Sequence, residues 1–274
     1  MSDPRLPGEL ERIIFIDAFL LREENPISLL LVATRVRDWL IPFIYRVVTA
    51  SRLPGVRRSD PWRYPKKFTR LAAFEHYGSH IRYLWLGKLW TNTPSECLSY
   101  CPHVTDLVLP WLTPPHVPFE LLENLQKLTK LSINARYLVN ELSMRTRRIP
   151  AFPNITHLVT FAIPPFDNIE DVFVLLARHF PSLTHLAVSD SMEFPELVFR
   201  QWENLKALVF WRSGSLLRLY EGWVPPTNYD RVVMIRTTPS RDWERSAMGM
   251  GFGMWELADE VVKKRVQDKT QQDC

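Results

Sequence analysis

Six short segments of the chain share one pattern of apolar and polar positions. Each begins with an apolar residue, has leucine at its fourth position and ends two residues later on another apolar residue, as in 183–188. The segments begin at Ile81, Val104, Leu128, Ile155, Leu183 and Leu205, which lie 22 to 28 residues apart. Thr160 is the one clear exception, at the last position of its segment, and a weaker seventh copy covers 232–235. Because apolar and polar residues alternate within each segment, the pattern predicts one short strand per copy.

Helical signals lie between these predicted strands. Proline or acidic residues open the stretches 95–100, 118–128, 167–180 and 195–202, as they open the first turn of many helices. A strand and a helix in each repeat of ~20–29 residues are typical of leucine-rich repeats, whose units stack side by side. The sequence therefore predicts an α/β fold, an irregular leucine-rich-repeat solenoid in which short parallel strands alternate with helices.

One face of the predicted sheet is a candidate binding surface. Alternate side chains of a strand point to opposite faces, so we expect Leu186 and Val188 in the core and His185 and Ala187 on the other side. Aromatic and polar residues at these outward positions are typical of protein-binding surfaces. The predicted partner-binding residues are Tyr83, Trp85, Asp106, Lys130, His157, His185 and Trp211. The alternative is that the C-terminal segment or irregular loops cover this face, which would make these residues ordinary packing residues.

The first 50 residues follow a different, helical pattern. A first helix is predicted from Pro7 onward, because Leu10, Ile13, Ile14, Ala18 and Leu21 follow one helical face. A second helix is predicted to start at Asn25-Pro26 and to end at Pro42, and a third short helix is predicted at 43–48. Three short helices of ~45 residues are near the lower size limit for independent stability, so we expect this unit to dock on another part of the chain or on a partner.

The same residues carry a family resemblance. The stretch from Leu6-Pro7-Gly8-Glu9-Leu10 to Ile14-Phe15, followed by a leucine-rich helix ending in Arg-Asp-Trp39 and by Tyr45-Arg46, resembles an F-box. The chain as a whole is similar to F-box proteins with leucine-rich repeats, in particular a fungal group. The C-terminal segments 242–245 (Asp-Trp-Glu-Arg) and 255–258 (Trp-Glu-Leu-Ala) match the end of that group.

The resemblance implies two partners. An F-box binds the Skp-type adaptor of a cullin ubiquitin ligase, and the repeats hold a protein substrate, which the sequence does not identify. The adaptor contact that the resemblance implies is made or supported by Leu6, Pro7, Leu10, Ile14, Phe15, Val32 and Trp39. The alternative is a standalone repeat scaffold that binds a protein partner without a ligase, with the N-terminal helices acting only as the cap that a solenoid end requires.

These patterns divide the chain into four parts. We predict an F-box-like helical unit at 1–50, a basic proline-rich linker at 51–78, degenerate repeats at 79–240 and a C-terminal helix and tail at 241–274. The segment 51–70 holds seven Lys and Arg residues against one Asp. Because no groove-reading motif accompanies it and the net charge of the chain is only +4, we interpret it as a solvated linker, and nucleic-acid binding is not expected.

The amino-acid composition argues against several classes of functional site. The 274 residues include 9 Gly, 22 Pro and 3 Cys, which disfavours glycine-rich phosphate loops and a disulfide framework. Cys97, Cys101 and His103 lack a further metal-ligand cluster, and 249–253 lacks the Lys-Ser/Thr ending of a phosphate loop. We therefore predict a non-enzymatic protein without a metal or cofactor. With no apolar stretch of membrane length, the expected location is the cytoplasm or the nucleus.

Overall fold

The computed structural model describes residues 6–21, 27–50, 66–87, 94–110, 119–144, 152–161, 169–189, 195–212, 230–236, 239–249, 251 and 253–272. The strands are β1 Val47–Ala50, β2 Lys66–Lys67, β3 Tyr83–Leu86, β4 Asp106–Leu109, β5 Lys130–Asn134, β6 His157–Phe161, β7 His185–Ser189, β8 Ala207–Arg212 and β9 Val232–Arg236. The helices are α1 Gly8–Leu21, α2 Ile27–Leu30, α3 Thr34–Ile44, α4 Leu71–Tyr77, α5 Pro94–Ser99, α6 Phe119–Glu123, α7 Ala135–Met144, α8 Ile169–His179, α9 Pro195–Gln201, α10 Pro239–Ala247 and α11 Met254–Gln272.

All nine strands form one parallel sheet, in the order β2-β1-β3-β4-β5-β6-β7-β8-β9. From β3 to β8 each strand carries one segment of the sequence pattern, and the fourth-position leucines lie directly beside one another. This row consists of Leu84, Leu107, Leu131, Leu158, Leu186 and Leu208, all at most 1% exposed. The structure thus confirms a mixed α/β fold whose parallel strands alternate with helices.

A row of threonines joins the starts of four neighbouring strands. The hydroxyl of Thr129 donates to the carbonyl oxygen of Thr105 (3.2 Å), that of Thr156 to Thr129 (3.3 Å) and that of Thr184 to Thr156 (3.1 Å). The backbone N–H groups of Thr129, Thr156 and Thr184 donate to the same oxygens. Because each threonine precedes its strand by one residue, these bonds fix the register of the parallel pairs.

The main core lies between one face of the sheet and helices α4 to α9. Leu186 and Val188 of β7 are in this core, as predicted from the alternation. Three phenylalanines from consecutive repeats, Phe119, Phe152 and Phe180, pack in a line, with ring centroids 5.1 Å apart in both contacts. All three are buried. They extend the repeat pattern from the strands to the helical side of the molecule.

The prediction that Pro42 ends a helix and that 43–48 forms another is wrong. Helix α3 continues through Pro42 to Ile44, and the next residues form strand β1, which pairs with β3. Val36, Leu40 and Ile44 lie on one face of α3 and are buried, so apolar packing outweighs the one backbone hydrogen bond that a proline removes. The predicted start at Asn25-Pro26 lies outside the described residues.

The end of the predicted linker is part of the folded unit. Strand β2 and helix α4 lie within 66–78, where Phe68 and Phe74 are buried. The ring of Tyr77 stacks on Tyr45 at 3.7 Å, which ties α4 to the end of α3. A solvated linker is therefore the wrong description of 66–78, because its aromatic residues supply core contacts, while 51–65 lies outside the described residues. In the described part of the chain, no helix is long and apolar enough to span a membrane.

Candidate functional site

The C-terminal helices α10 and α11 lie on the sheet face that was predicted to be an accessible binding surface. Trp243 of α10 packs against Trp85, with ring centroids 5.6 Å apart, and Trp255 of α11 packs against His157 and His185 at 5.1 and 5.6 Å. We call this face, from Trp85 to Trp211, the covered face. Gly249 and Gly251 lie between the two helices with φ angles of 68° and 123°, which L-residues with a side chain rarely adopt.

Coverage changes the role of the predicted partner-binding residues. Asp106, His185 and Trp211 are buried, and Tyr83, Trp85, Lys130 and His157 are only partly exposed. An open binding face formed by all seven residues is therefore wrong, and the alternative in which the C-terminal segment covers it is the one observed. The reason is physical: this face also carries Val108, Val159 and Val209, whose apolar surface the two helices remove from water.

Asp106 is a buried acid held by the first of these helices. The indole Nε1 of Trp243 donates a hydrogen bond to Asp106 Oδ1 at 3.0 Å. Burial raises the pKa of Asp106 to about 6, an effect that the charge of Lys130 and the bond from Trp243 oppose. The Trp243–Asp106 contact thus satisfies a polar group that the covering helix has removed from water.

His157 and His185 form a stacked pair under α11. Their rings are parallel within 3° and 4.2 Å apart, and each Nδ1 lies 2.8 Å from the hydroxyl of the threonine before it, Thr156 or Thr184. Burial first, and then the charge of His185, lower the pKa of His157 to about 3. His157 is therefore neutral at physiological pH. His185 Nε2 lies 2.9 Å from the carboxylate of Asp259, which joins β7 to α11.

Replacing His157 with phenylalanine is expected to make the fold less sensitive to acid. Because the pKa of His157 is lowered in the native state, the unfolded chain binds its proton first as the pH falls from 6.5 toward 3, and stability is lost. At pH 4.5 this loss is about 3 kcal/mol. Phenylalanine keeps an aromatic ring beside Trp255 but does not titrate. Urea unfolding at pH 7.5 and pH 4.5 measures the difference.

The exposed His76 provides the control for this experiment. His76→Phe should retain the acid dependence of the unmodified protein. Asp106 acts in the opposite direction, since its raised pKa adds stability as the pH falls from 6 toward 4, but it is present in every variant. An acid dependence of His157→Phe equal to that of the unmodified protein would contradict the prediction.

A cleft remains between α10 and α11, above strand β5. Its volume is about 40 Å³, which is room for roughly three water molecules. The lining residues are Trp85, Asp106, Val108, Lys130, Leu131, Ser132, His157, Val159, Phe161, Asp242, Trp243, Ser246, Met254 and Trp255. Among the described residues no group of three potential ligands could hold a metal ion. Lys130 and Ser132 come from β5 and Asp242 comes from α10, so the cleft combines polar groups from both of its sides.

The N-terminal unit has a second surface of interest. Helix α1 is apolar on two sides: Phe15 and Phe19 pack on the small core around Val36 and Leu40, whereas the opposite side is exposed. None of the 14 residues of α1 is buried. The exposed apolar residues of this region, which we call the N-terminal apolar surface, are Leu6, Leu10, Ile13, Ile14, Leu20, Leu21, Leu31 and Val32, with exposures of 49 to 81%.

The structure separates the residues of the implied adaptor contact into two groups. Leu6, Pro7, Leu10, Ile14 and Val32 are exposed, whereas Phe15 and Trp39 are partly buried and pack on the core of the unit. Glu11 forms an ion pair with Arg35 at 2.6 Å. This pair joins α1 to α3. The sequence pattern placed Leu21 on the apolar face of α1 but did not single out Leu20 and Leu31, which are also exposed.

Two surfaces therefore carry candidate functions: the cleft in the covered face and the N-terminal apolar surface. One is a small cleft in which a few polar groups lie among apolar side chains, and the other is broad, exposed and apolar. Such different surfaces suit different ligands. Comparison of the chain with protein-family models and with curated proteins gave no match.

Proposed function

We propose that this chain is a non-catalytic protein-interaction subunit, the substrate-recognition adaptor of a cullin-type ubiquitin ligase. In this proposal the N-terminal unit is an F-box that docks on a Skp-type adaptor protein, and the strands and helices form an irregular leucine-rich-repeat solenoid that holds a protein substrate. Such a subunit works in the cytoplasm or the nucleus, without metal or cofactor.

The exposed apolar side of α1 carries the proposal. Leu10, Ile13, Ile14 and Leu21 follow one stripe of the helix, and each is about half exposed or more. Asp17 is a charged residue within this stripe, but monomeric proteins rarely leave several large apolar side chains together in water. The stripe therefore favours a protein partner that covers it, which is what the resemblance of these residues to an F-box implies.

The order of the strands supports the second half of the proposal. Each strand from β3 to β9 pairs with its neighbours in the sequence, and each connection carries a helix or lies partly outside the described residues. Lateral stacking of strand-helix units with a recurring leucine is the arrangement of a leucine-rich-repeat solenoid. Since α10 and α11 cover much of one sheet face, the cleft between them is the entry that this face offers to a substrate side chain.

Replacing Leu10 and Ile14 together with aspartate is expected to weaken binding of a Skp-type adaptor at least thirtyfold. Two carboxylates in a desolvated apolar interface cost about 2 kcal/mol or more. Because both side chains are exposed in the free chain, the helix content and the thermal midpoint should change little. Titration calorimetry of the full chain with the purified adaptor, together with circular dichroism, measures both quantities.

A matched control comes from two exposed valines on other helices. Val174→Asp with Val266→Asp introduces the same two charges on α8 and α11 and should leave adaptor binding unchanged. The proposal fails if the unmodified chain does not bind the adaptor. It also fails if the two double variants weaken binding equally.

A second candidate function is a standalone scaffold whose N-terminal helices only cap the sheet. The short link from α3 to the sheet favours it: Tyr45 and Arg46 separate α3 from β1, and the N–H groups of Arg82 and Tyr83 donate to the carbonyl oxygen of Arg46. A cap predicts that changes on the outer side of α1 affect no partner. The two functions therefore differ in the response of adaptor binding to Leu10→Asp with Ile14→Asp.

A further inference from the structure

Two opposite charges face the cleft without pairing with each other. Lys130 projects from β5 and Asp242 from α10, and both are partly buried lining residues. Among the described residues neither forms an ion pair within 4.0 Å. A partly buried ammonium group and a partly buried carboxylate in one small cleft are normally paired or bound to something else.

The remaining acids near the cleft already have partners. Asp106 accepts the hydrogen bond from Trp243, and Glu256 accepts one from the N–H of Gly253 at 3.0 Å and one from the Ser246 hydroxyl at 3.4 Å. Within the part of the chain that the structure describes, Lys130 and Asp242 are therefore the cationic donor and the anionic acceptor of the cleft without a hydrogen-bonded partner, although Lys130 lies beside Asp106 in the strand register and its charge acts on that carboxylate. The hydroxyl of Ser132, also from β5, adds a group that can donate or accept.

An ionic ligand would satisfy only one of the two charged groups, Lys130 and Asp242, that face the cleft. A carboxylate would gain the contact with Lys130 but would lie close to Asp242 and Asp106, and a cation would gain the two acids but would lie close to Lys130. The carboxylate would add a negative charge to a cleft that already holds two acids, and the cation would leave Lys130 without an acceptor, in a cleft walled by Trp85 and Trp255. A neutral group with an acceptor on one side and a donor on the other satisfies both charges at once.

The volume of the cleft limits which neutral ligand groups can bind in it. At about 40 Å³ it holds a few heavy atoms and excludes a nucleotide or a drug-sized cofactor, which needs several hundred Å³. A primary carboxamide has three heavy atoms, a carbonyl oxygen for Lys130 and an NH₂ group for Asp242. Because helices α10 and α11 close the cleft on two sides, it suits the end of a side chain better than a continuous peptide main chain.

We infer that the cleft between α10 and α11 is a recognition pocket for a side-chain carboxamide, asparagine or glutamine, of a protein partner, held by Lys130, Asp242 and Ser132. Apolar contacts with Trp85, Trp243 and Trp255 surround the methylene groups of the bound side chain. The identification of this partner as a ligase substrate rests on the proposed function, whereas the pocket itself does not.

Three blocked tripeptides that differ at one residue test the inference. The probes are acetyl-Ala-Gln-Ala-amide and the same peptide with Glu or Lys in the centre, titrated into the full chain with ¹⁵N-labelled tryptophan. The glutamine peptide should shift the indole signals of the cleft tryptophans, assigned by Trp85→Phe and Trp255→Phe, with a dissociation constant in the millimolar range. The glutamate and lysine peptides should bind at least tenfold more weakly.

Two pocket variants and two controls complete the design. Lys130→Met and Asp242→Asn should each weaken the glutamine peptide at least fivefold, while the exposed Lys127→Met and Glu75→Gln should not. Tighter binding of the glutamate or the lysine peptide overturns the inference, as does the absence of any shift in the indole signals. Adaptor titration of the same samples separates this result from the proposed function, since the adaptor contacts α1 and not the cleft.

Discussion

Replacing Phe180 with alanine is expected to lower the free energy of unfolding by about 4 kcal/mol. Phe180 is fully buried, stacks on Phe152 at 5.1 Å, and follows helix α8 directly, so its removal leaves a cavity between two consecutive repeats. Its carbonyl oxygen also accepts the indole N–H of Trp202 at 3.1 Å, which holds the backbone in place and limits collapse of the cavity. Urea unfolding at pH 7.5 measures the change.

Two control substitutions separate the loss of buried apolar volume at Phe180 from other effects on stability. Phe180→Leu keeps most of the apolar volume and should cost about 1 kcal/mol. Val174→Ala, at an exposed position of α8, should cost less than about 0.5 kcal/mol. A loss of under 1 kcal/mol for Phe180→Ala would show that the line of Phe119, Phe152 and Phe180 does not stabilise the repeats.

Replacing Trp243 with alanine is expected to release helix α10 from the sheet, at a cost of about 3 to 5 kcal/mol. Trp243 is 8% exposed and lies in a cluster with Val47 and Val108, and its indole contacts Trp85. The substitution also removes the donor to the buried carboxylate of Asp106, which then has to be solvated. Urea unfolding should show the loss, and limited proteolysis should cut the chain within 239–249.

A double-mutant cycle isolates the hydrogen bond from the packing. Trp243→Phe keeps an aromatic ring but no N–H group and should cost about 2 kcal/mol. In the background of Asp106→Leu, which removes the acceptor, the same substitution should cost clearly less. Additive effects of the two substitutions would contradict a stabilising bond between Trp243 and Asp106.

The strands of the sheet could be predicted because the pattern that identifies each strand lies within a single short segment of the sequence. The alternation in each segment identified the strands, and the recurrence of leucine identified equivalent positions, so that Leu131, Leu158 and Leu186 were expected to be equivalent before their neighbours were known. Parallel strands joined by helices follow from connections that are long enough for a crossover. Helix α7 was missed, although Asn134 accepts hydrogen bonds from the N–H groups of Arg136 and Tyr137 as its N-terminal cap.

The errors arose where tertiary packing outweighed a local rule. Pro42 is a helix breaker by its own chemistry, but the buried face of Leu40 and Ile44 carries α3 past it. The linker prediction rested on the charged residues of 51–70. Phe68 and Phe74 are nevertheless buried in the core, so the end of the predicted linker is folded. In both cases the positions of the apolar residues predict the observed structure better than the proline or the charged residues do.

Coverage of the sheet face could not be derived from the repeats. It depends on which helix docks on them, and the docking residues Trp243 and Trp255 lie outside the periodic part of the chain. A usable signal was present, since two tryptophans in otherwise charged helices require a buried contact. Nothing local indicated that their contacts would be Asp106 and the pair of His157 and His185.

The bond between Trp243 and Asp106 has a consequence for synthesis of the protein on the ribosome. The two residues are 137 positions apart, so at ~5–20 residues per second about 7 to 27 seconds pass between their additions to the chain. The neighbouring strands pair over only 22 to 28 residues and can assemble much earlier. We therefore expect the strands that have already paired to expose one apolar face until α10 has been synthesised, and transiently exposed apolar surface of this kind favours chaperone binding.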